Sequence, residues 1–101
     1  MKVPVMVELF HQVKEGKVRL SDPVAIHNQF HSIADGSVYK LDPADDSEVE
    51  LYKAEGQTRT PSQLCEWMIA ACSNLATNLI IEKLGVENVR ATARLLYQAI
   101  E

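Results

Sequence analysis

No stretch of this chain approaches the ~20 consecutive apolar residues that a membrane-spanning helix requires. The apolar opening, MKVPVMVELF, is interrupted at Glu8 and again at His11. No small-residue cleavage site follows, so neither a signal peptide nor a membrane partner is expected, and the localisation stays open. Positive charge is also scarce. Ten Lys and Arg stand against fourteen Asp and Glu, giving a net charge of −4 and a pI near 5.3. With no Lys/Arg cluster, the electrostatic footprint of a nucleic-acid binder is missing. There are only two cysteines, Cys65 and Cys72. On one straight helix they would stand ~10 Å apart along the axis. That separation is too large for a disulfide. Without histidine neighbours they also make a poor metal site, so no metal and no cofactor is expected. Cys65 reads as a buried thiol behaving as a small apolar group. Internal repeats and low-complexity segments are absent as well.

The chain has 101 residues, which is about one domain. A chain of this length buries roughly 60–70% of its unfolded surface, enough for one modest core. Its 47% hydrophobic and 24% charged residues are those of a globular protein rather than a disordered one.

Helical spacing dominates the pattern. Residues 2–15 form a helix candidate in which Val5, Met6, Leu9, Phe10 and Val13 share one face, while Glu8, Gln12 and Lys14 fall away from it. Pro4 is tolerable in the first turn and Gly16 can stop the helix. Residues 17–60 differ. SDP (21–23) and DGS (35–37) are turn signals, and LDPADDSE (41–48) is an acidic loop. Val24, Ala25 and Ile26 could form a very short strand, and a helical turn is expected near 47–54. A segment this long with so little regular structure is unusual in a compact domain. Helices are then expected at about 61–71, 73–84 and 86–100. Thr60 suits the first N-cap and Pro61 the first helical position. Gly85 should end the third helix, and Val86, Val89, Ala93, Leu96 and Ile100 line the fourth. The expectation is a single helical domain over 1–101.

One stretch is out of place. Residues 72–78, CSNLATN, put a thiol, two hydroxyls and two amides between the apolar LCEWMIAA and LIIEKLG. At this point the sequence resembles a known family. MKVPVMVELFHQVKEGKVRLSDPV followed by MIAACSNLATNLIIEKLG resembles the helical subdomain of class A β-lactamases and their serine-hydrolase relatives, and FHSIADGSVYKLDPADDSEVELY looks like one branch of them. The resemblance spans roughly residues 1–94. It implies a mainly α fold: the helical lobe of the β-lactamase-like architecture, lacking the family's β-sheet lobe.

The family works through S-x-x-K, S-D-N and K-T-G motifs, with a loop Glu in class A enzymes. A serine hydroxyl is a weak nucleophile and needs a base within hydrogen-bond reach. A lysine three residues on lies on the same helical face. By this resemblance Lys2 matches that lysine, and its Ser would precede the first residue of the chain. Cys72, Ser73 and Asn74 fall over S-D-N. The family's first Ser there relays a proton toward the leaving nitrogen, and its Asn contacts the substrate and the lysine. Lys2, Cys72 and Asn74 are therefore the candidate catalytic residues, with Asn74 also substrate-binding, as remnants of an incomplete site. Cys72 in place of Ser is the larger departure. A thiol beside an ammonium could have a lowered pKa and donate a proton.

Plainer readings stand beside these. Asn74, Thr77 and Asn78 could cap a helix junction and satisfy buried backbone groups. Ser73 suits a cap better than a catalyst, and Lys2 without its Ser reads as a solvated lysine. His11, His27 and His31 are scattered, and Asp45, Asp46, Glu48 and Glu50 form an acidic run best explained as a solvated face. The 101 residues hold no nucleophilic Ser ahead of Lys2, no loop Glu and no K-T-G, so the chain is expected to be an inactive, truncated piece of a β-lactam or ester hydrolase whose ligand would be a β-lactam-like small molecule. Family members are usually exported or periplasmic. Alternatively it is a non-catalytic helical module that covers an apolar face by forming a homodimer, the missing sheet lobe being the other natural partner. A small helical protein unrelated to the family would instead run unbroken from 61 to 84.

Overall fold

The structure, a computed structural model, describes residues 2–31, 35–46 and 49–100, without the side chains of Asp45, Ala99 and Ile100. Four helices carry it: α1 (Lys2–Lys14), α2 (Pro61–Ala70), α3 (Asn74–Leu84) and α4 (Val86–Ile100). The segment between α1 and α2 holds four two-residue strands, β1 (Val24–Ala25), β2 (Phe30–His31), β3 (Val38–Tyr39) and β4 (Thr58–Arg59), and 3-10 turns at Pro43–Asp45 and Glu50–Ala54. The protein is mainly α.

Local chemistry sets the helix ends. Thr60 Oγ1 accepts from the Gln63 N–H at 3.2 Å, while Gln63 Oε1 accepts from the Thr60 N–H at 3.0 Å. This reciprocal box satisfies two donors that α2 leaves unpaired, with Pro61 in the first position. Gly85, at φ 93°, ends α3, and α4 starts at the next residue. That left-handed backbone suits glycine, and a Cβ there would meet the Asn88 amide nitrogen at 3.1 Å.

One apolar core joins the helices. Val5 and Leu9 of α1, Leu64 and Met68 of α2, and Leu75 and Leu79 of α3 are all fully or almost fully buried. The irregular segment contributes Val18, Ile26, Phe30, Leu51 and Ala54, so it is packed chain rather than loose loop. β1 pairs antiparallel with β4 (Val24 opposite Arg59) and β2 with β3 (Phe30 opposite Tyr39). Asn28 supports the second pair like a strand partner: its side chain donates to the Leu41 carbonyl and accepts from the Leu41 N–H, both at 2.8 Å.

Two features depart from the helical-face reading. Phe10, expected on the core face of α1, is 48% exposed, whereas Glu8 and Gln12, expected outside it, are each 5% exposed. The cause is α4. Thr92 Oγ1 donates to Glu8 Oε1 at 2.6 Å, and Gln12 Nε2 donates to Glu8 Oε2 at 2.6 Å and to the Leu84 carbonyl at 3.1 Å. The buried carboxylate is thus hydrogen-bonded on both oxygens, as burial of such a group requires. The stripe of α4 faces inward at Val89 and partly at Val86, Ala93 and Leu96; the Ile100 side chain lies outside the described residues.

Candidate active-site wall at the α2–α3 junction

Helix α2 does not run on into α3. Ala71 caps it, and Cys72 turns the chain with φ 55°, the one non-glycine residue in the left-handed region among the described residues. A side chain with a Cβ pays for that conformation, so it marks a place where surroundings dictate the backbone. Here the turn aims the N–H groups of Ala71 and Ser73 at one acceptor, the Trp67 carbonyl, at 3.2 and 3.1 Å. Cys72 itself is exposed, and neither it nor the buried Cys65 forms a disulfide.

Ser73 is fully buried and is the N-cap of α3. Its Oγ accepts from the Ala76 N–H at 3.1 Å, and its carbonyl accepts from the Thr77 hydroxyl at 2.8 Å. Ser73 therefore plays the capping role expected for it, whereas Thr77 lies inside α3 and adds a second donor to a carbonyl that its own N–H already satisfies at 3.2 Å. Asn78 acts differently: its side-chain amide donates to the Tyr39 hydroxyl at 3.3 Å. That ties β3 to α3 and satisfies no backbone group.

The acidic loop is not simply a solvated face. The Asp46 carboxylate sits on the first turn of α3. Its two oxygens accept from the Asn74 N–H at 3.1 Å each, and Oδ2 accepts from the Leu75 N–H at 3.1 Å. The Tyr52 hydroxyl donates to the same Oδ2 at 2.8 Å. A carboxylate is favoured there because unpaired N–H groups give a helix N-terminus partial positive charge. Burial, with the hydrogen bond to Asp46 and the negative charges of Asp46 and Asp42 adding to it, pushes the Tyr52 phenol well above its ordinary range. Glu48, and the side chain of Asp45, lie outside the described residues.

Lys2 opens α1 and is half-buried; Asn74 opens α3 and is exposed. The two helices pack against each other and are joined at their C-terminal turns by the Gln12–Leu84 hydrogen bond. His27, His31 and His11 stay apart from this junction. His27 lies outside any helix with Nε2 2.7 Å from Glu82, and His31 is in β2. Among the described residues no cluster of His, Cys, Asp and Glu could hold a metal ion. An apolar crevice lined by Leu9, Val24, Leu64, Ile80 and Leu84 is too tight for water and contains none of these residues.

A family model described as the β-lactamase enzyme family matches residues 1–99. The chain belongs to the β-lactamase enzyme family. No curated protein and no solved structure matches it. As a β-lactamase-family chain it contains the helical part of the fold, and α2 and α3 are separated at residues 71–73. The unrelated small helical protein required an uninterrupted helix there.

Proposed function

We propose that this chain forms the helical wall of a serine hydrolase site of the kind that opens β-lactams or esters through an acyl-serine. The observation that carries the reading is the exposed, left-handed Cys72 turn, held between a buried N-cap at Ser73 and an exposed Asn74. In this reading Lys2 is the base that activates the nucleophile, Cys72 the proton donor to the leaving nitrogen, and Asn74 the amide that grips the substrate carbonyl. Support for a shared site comes from α1 and α3. Lys2 and Asn74 each lie ten residues before the contact that joins the two C-terminal turns. Helices that pack side by side and meet at those turns bring their first turns to the same end of the pair.

A K-T-G triplet does not occur in these 101 residues, and the expectation under this reading is that they bind a β-lactam weakly and do not turn it over by themselves. The test uses the purified chain with a chromogenic cephalosporin and a p-nitrophenyl ester. Hydrolysis at the blank rate, with penicillin-induced NMR shifts at Asn74 and Val3, is the expected result. Hydrolysis abolished by Cys72→Ala would replace this reading with a thiol mechanism, and shifts confined to other surfaces would remove the site.

One observation favours a second reading, self-association without catalysis. Val3, Val7 and Phe10 form an exposed apolar stripe at i, i+4 and i+7 on α1, and Leu95 and Tyr97 are exposed on α4. A second copy covering α1 would make the chain a dimer. Sedimentation equilibrium checks this: the reading expects a dimer weakened by Phe10→Glu, and a monomer at all concentrations contradicts it.

A further inference from the structure

We propose that Asp46 is the positioning residue of the Cys72–Ser73–Asn74 turn, supplying from the acidic loop the carboxylate that the middle position of this turn lacks. The inference rests on the reading of that turn as an active-site wall. The first turn of α3 has N–H groups without partners inside the helix. Ser73 Oγ takes only that of Ala76. Those of Asn74 and Leu75 go to Asp46, twenty-eight and twenty-nine positions upstream. A serine hydroxyl is too short to serve the whole turn, and Asp46 completes it from across the fold.

Asp46 is itself well fixed. Its N–H closes the Pro43–Asp45 turn on the Pro43 carbonyl at 3.2 Å, and Tyr52 clamps its Oδ2. Leu51, next to Tyr52, is fully buried in the core, so the clamp is anchored to the rigid part of the molecule. The consequence lies at the exposed side of the turn. Because Asn74 meets Asp46 through its backbone N–H, its side-chain amide is not consumed in capping. Cys72, two residues earlier, leads the chain into the Ser73 cap and the first turn of α3 that Asp46 completes. Asp46 touches no substrate in this scheme. It acts through the backbone of the residues that do.

The test needs no substrate. Amide protons donated to a carboxylate shift as that carboxylate takes up a proton, so NMR of the wild-type chain from neutral to acid pH should show Asn74 and Leu75 shifting together, and Ala76, held by a hydroxyl, not following. In Asp46→Asn that concerted shift disappears. Native-state alkylation of Cys72, read by peptide mass mapping, becomes several-fold faster, and Tyr52→Phe, which leaves the carboxylate in place, gives a smaller increase. The concerted shift persisting in Asp46→Asn, or an unchanged Cys72 rate in both variants, overturns the proposal. Should Asp46→Asn fail to fold, the wild-type titration and Tyr52→Phe still decide. A chain that passes these tests but binds no β-lactam loses the hydrolase reading alone; the reverse outcome removes only the role of Asp46.

Discussion

Cys72 holds a backbone conformation that glycine would adopt without steric penalty. The left-handed region costs a residue with a Cβ roughly 1–2 kcal/mol, partly offset by the larger chain entropy glycine loses on folding. Cys72→Gly should therefore stabilise the chain by about 0.5–1 kcal/mol while removing the thiol, read as a higher urea midpoint at unchanged slope. A site residue whose replacement improves stability is one that the fold does not need. Ser73 is the opposite case: Ser73→Ala removes the cap of α3 and should cost about 1 kcal/mol in the same measurement. Two further residues set the alkaline behaviour. The Tyr52 phenol lies above its ordinary 10.0 because burial disfavours the phenolate, with Asp46 adding to it, and burial alone raises the Cys65 thiol from 9.0. Unfolded, both groups release their protons earlier than when folded, so the folded state binds more protons at high pH. The stability that these two groups contribute should be present below pH 9.0 and be lost as the pH rises past 9.0 and then 10.0, and Tyr52→Phe should flatten the upper part of that fall in urea midpoints measured against pH.

Among the elements, α1 and α4 are joined through a polar contact inside an apolar interface. Glu8 accepts from Thr92 and from Gln12, and hydrogen bonds to a charged group are worth about 1.5–3 kcal/mol. A double-mutant cycle of Glu8→Ala and Thr92→Val should show a coupling of about 1 kcal/mol or more, and additive single effects would mean that the contact does not hold the pair. This contact was hidden from the sequence for a physical reason. Periodicity sorts residues by polarity, and Thr92 stands 84 positions away from Glu8. The same reason concealed Asp46, whose donors lie 28 and 29 positions on. What the sequence did disclose was local. Thr60 and Pro61 build the start of α2 from neighbouring residues, Gly85 stops α3 by its own conformation, and Ser73 caps within one turn. At Phe10 the helical period was right and the face was not, because the stripe through Glu8 and Gln12 is the one that meets α4.

At the scale of the molecule, helices meet at a junction where polar residues interrupt two apolar runs. The irregular segment lies along α3, with Asp46 at Asn74 and Leu75, Tyr39 at Asn78 and His27 at Glu82, three contacts spaced about one turn apart on one helix. The family was legible from CSNLATN and its neighbours, whereas the use of the acidic loop to hold that motif required the fold. The central claim is that the first turns of α1 and α3 face a common site. A nitroxide attached to Cys72 tests it through relaxation of backbone amides. The account predicts that the signals of Val3, Val5 and Met6 are strongly broadened while those of Val13 and Lys14 are retained. The opposite pattern, with the last turn of α1 broadened and the first untouched, would place Lys2 away from Asn74 and contradict it.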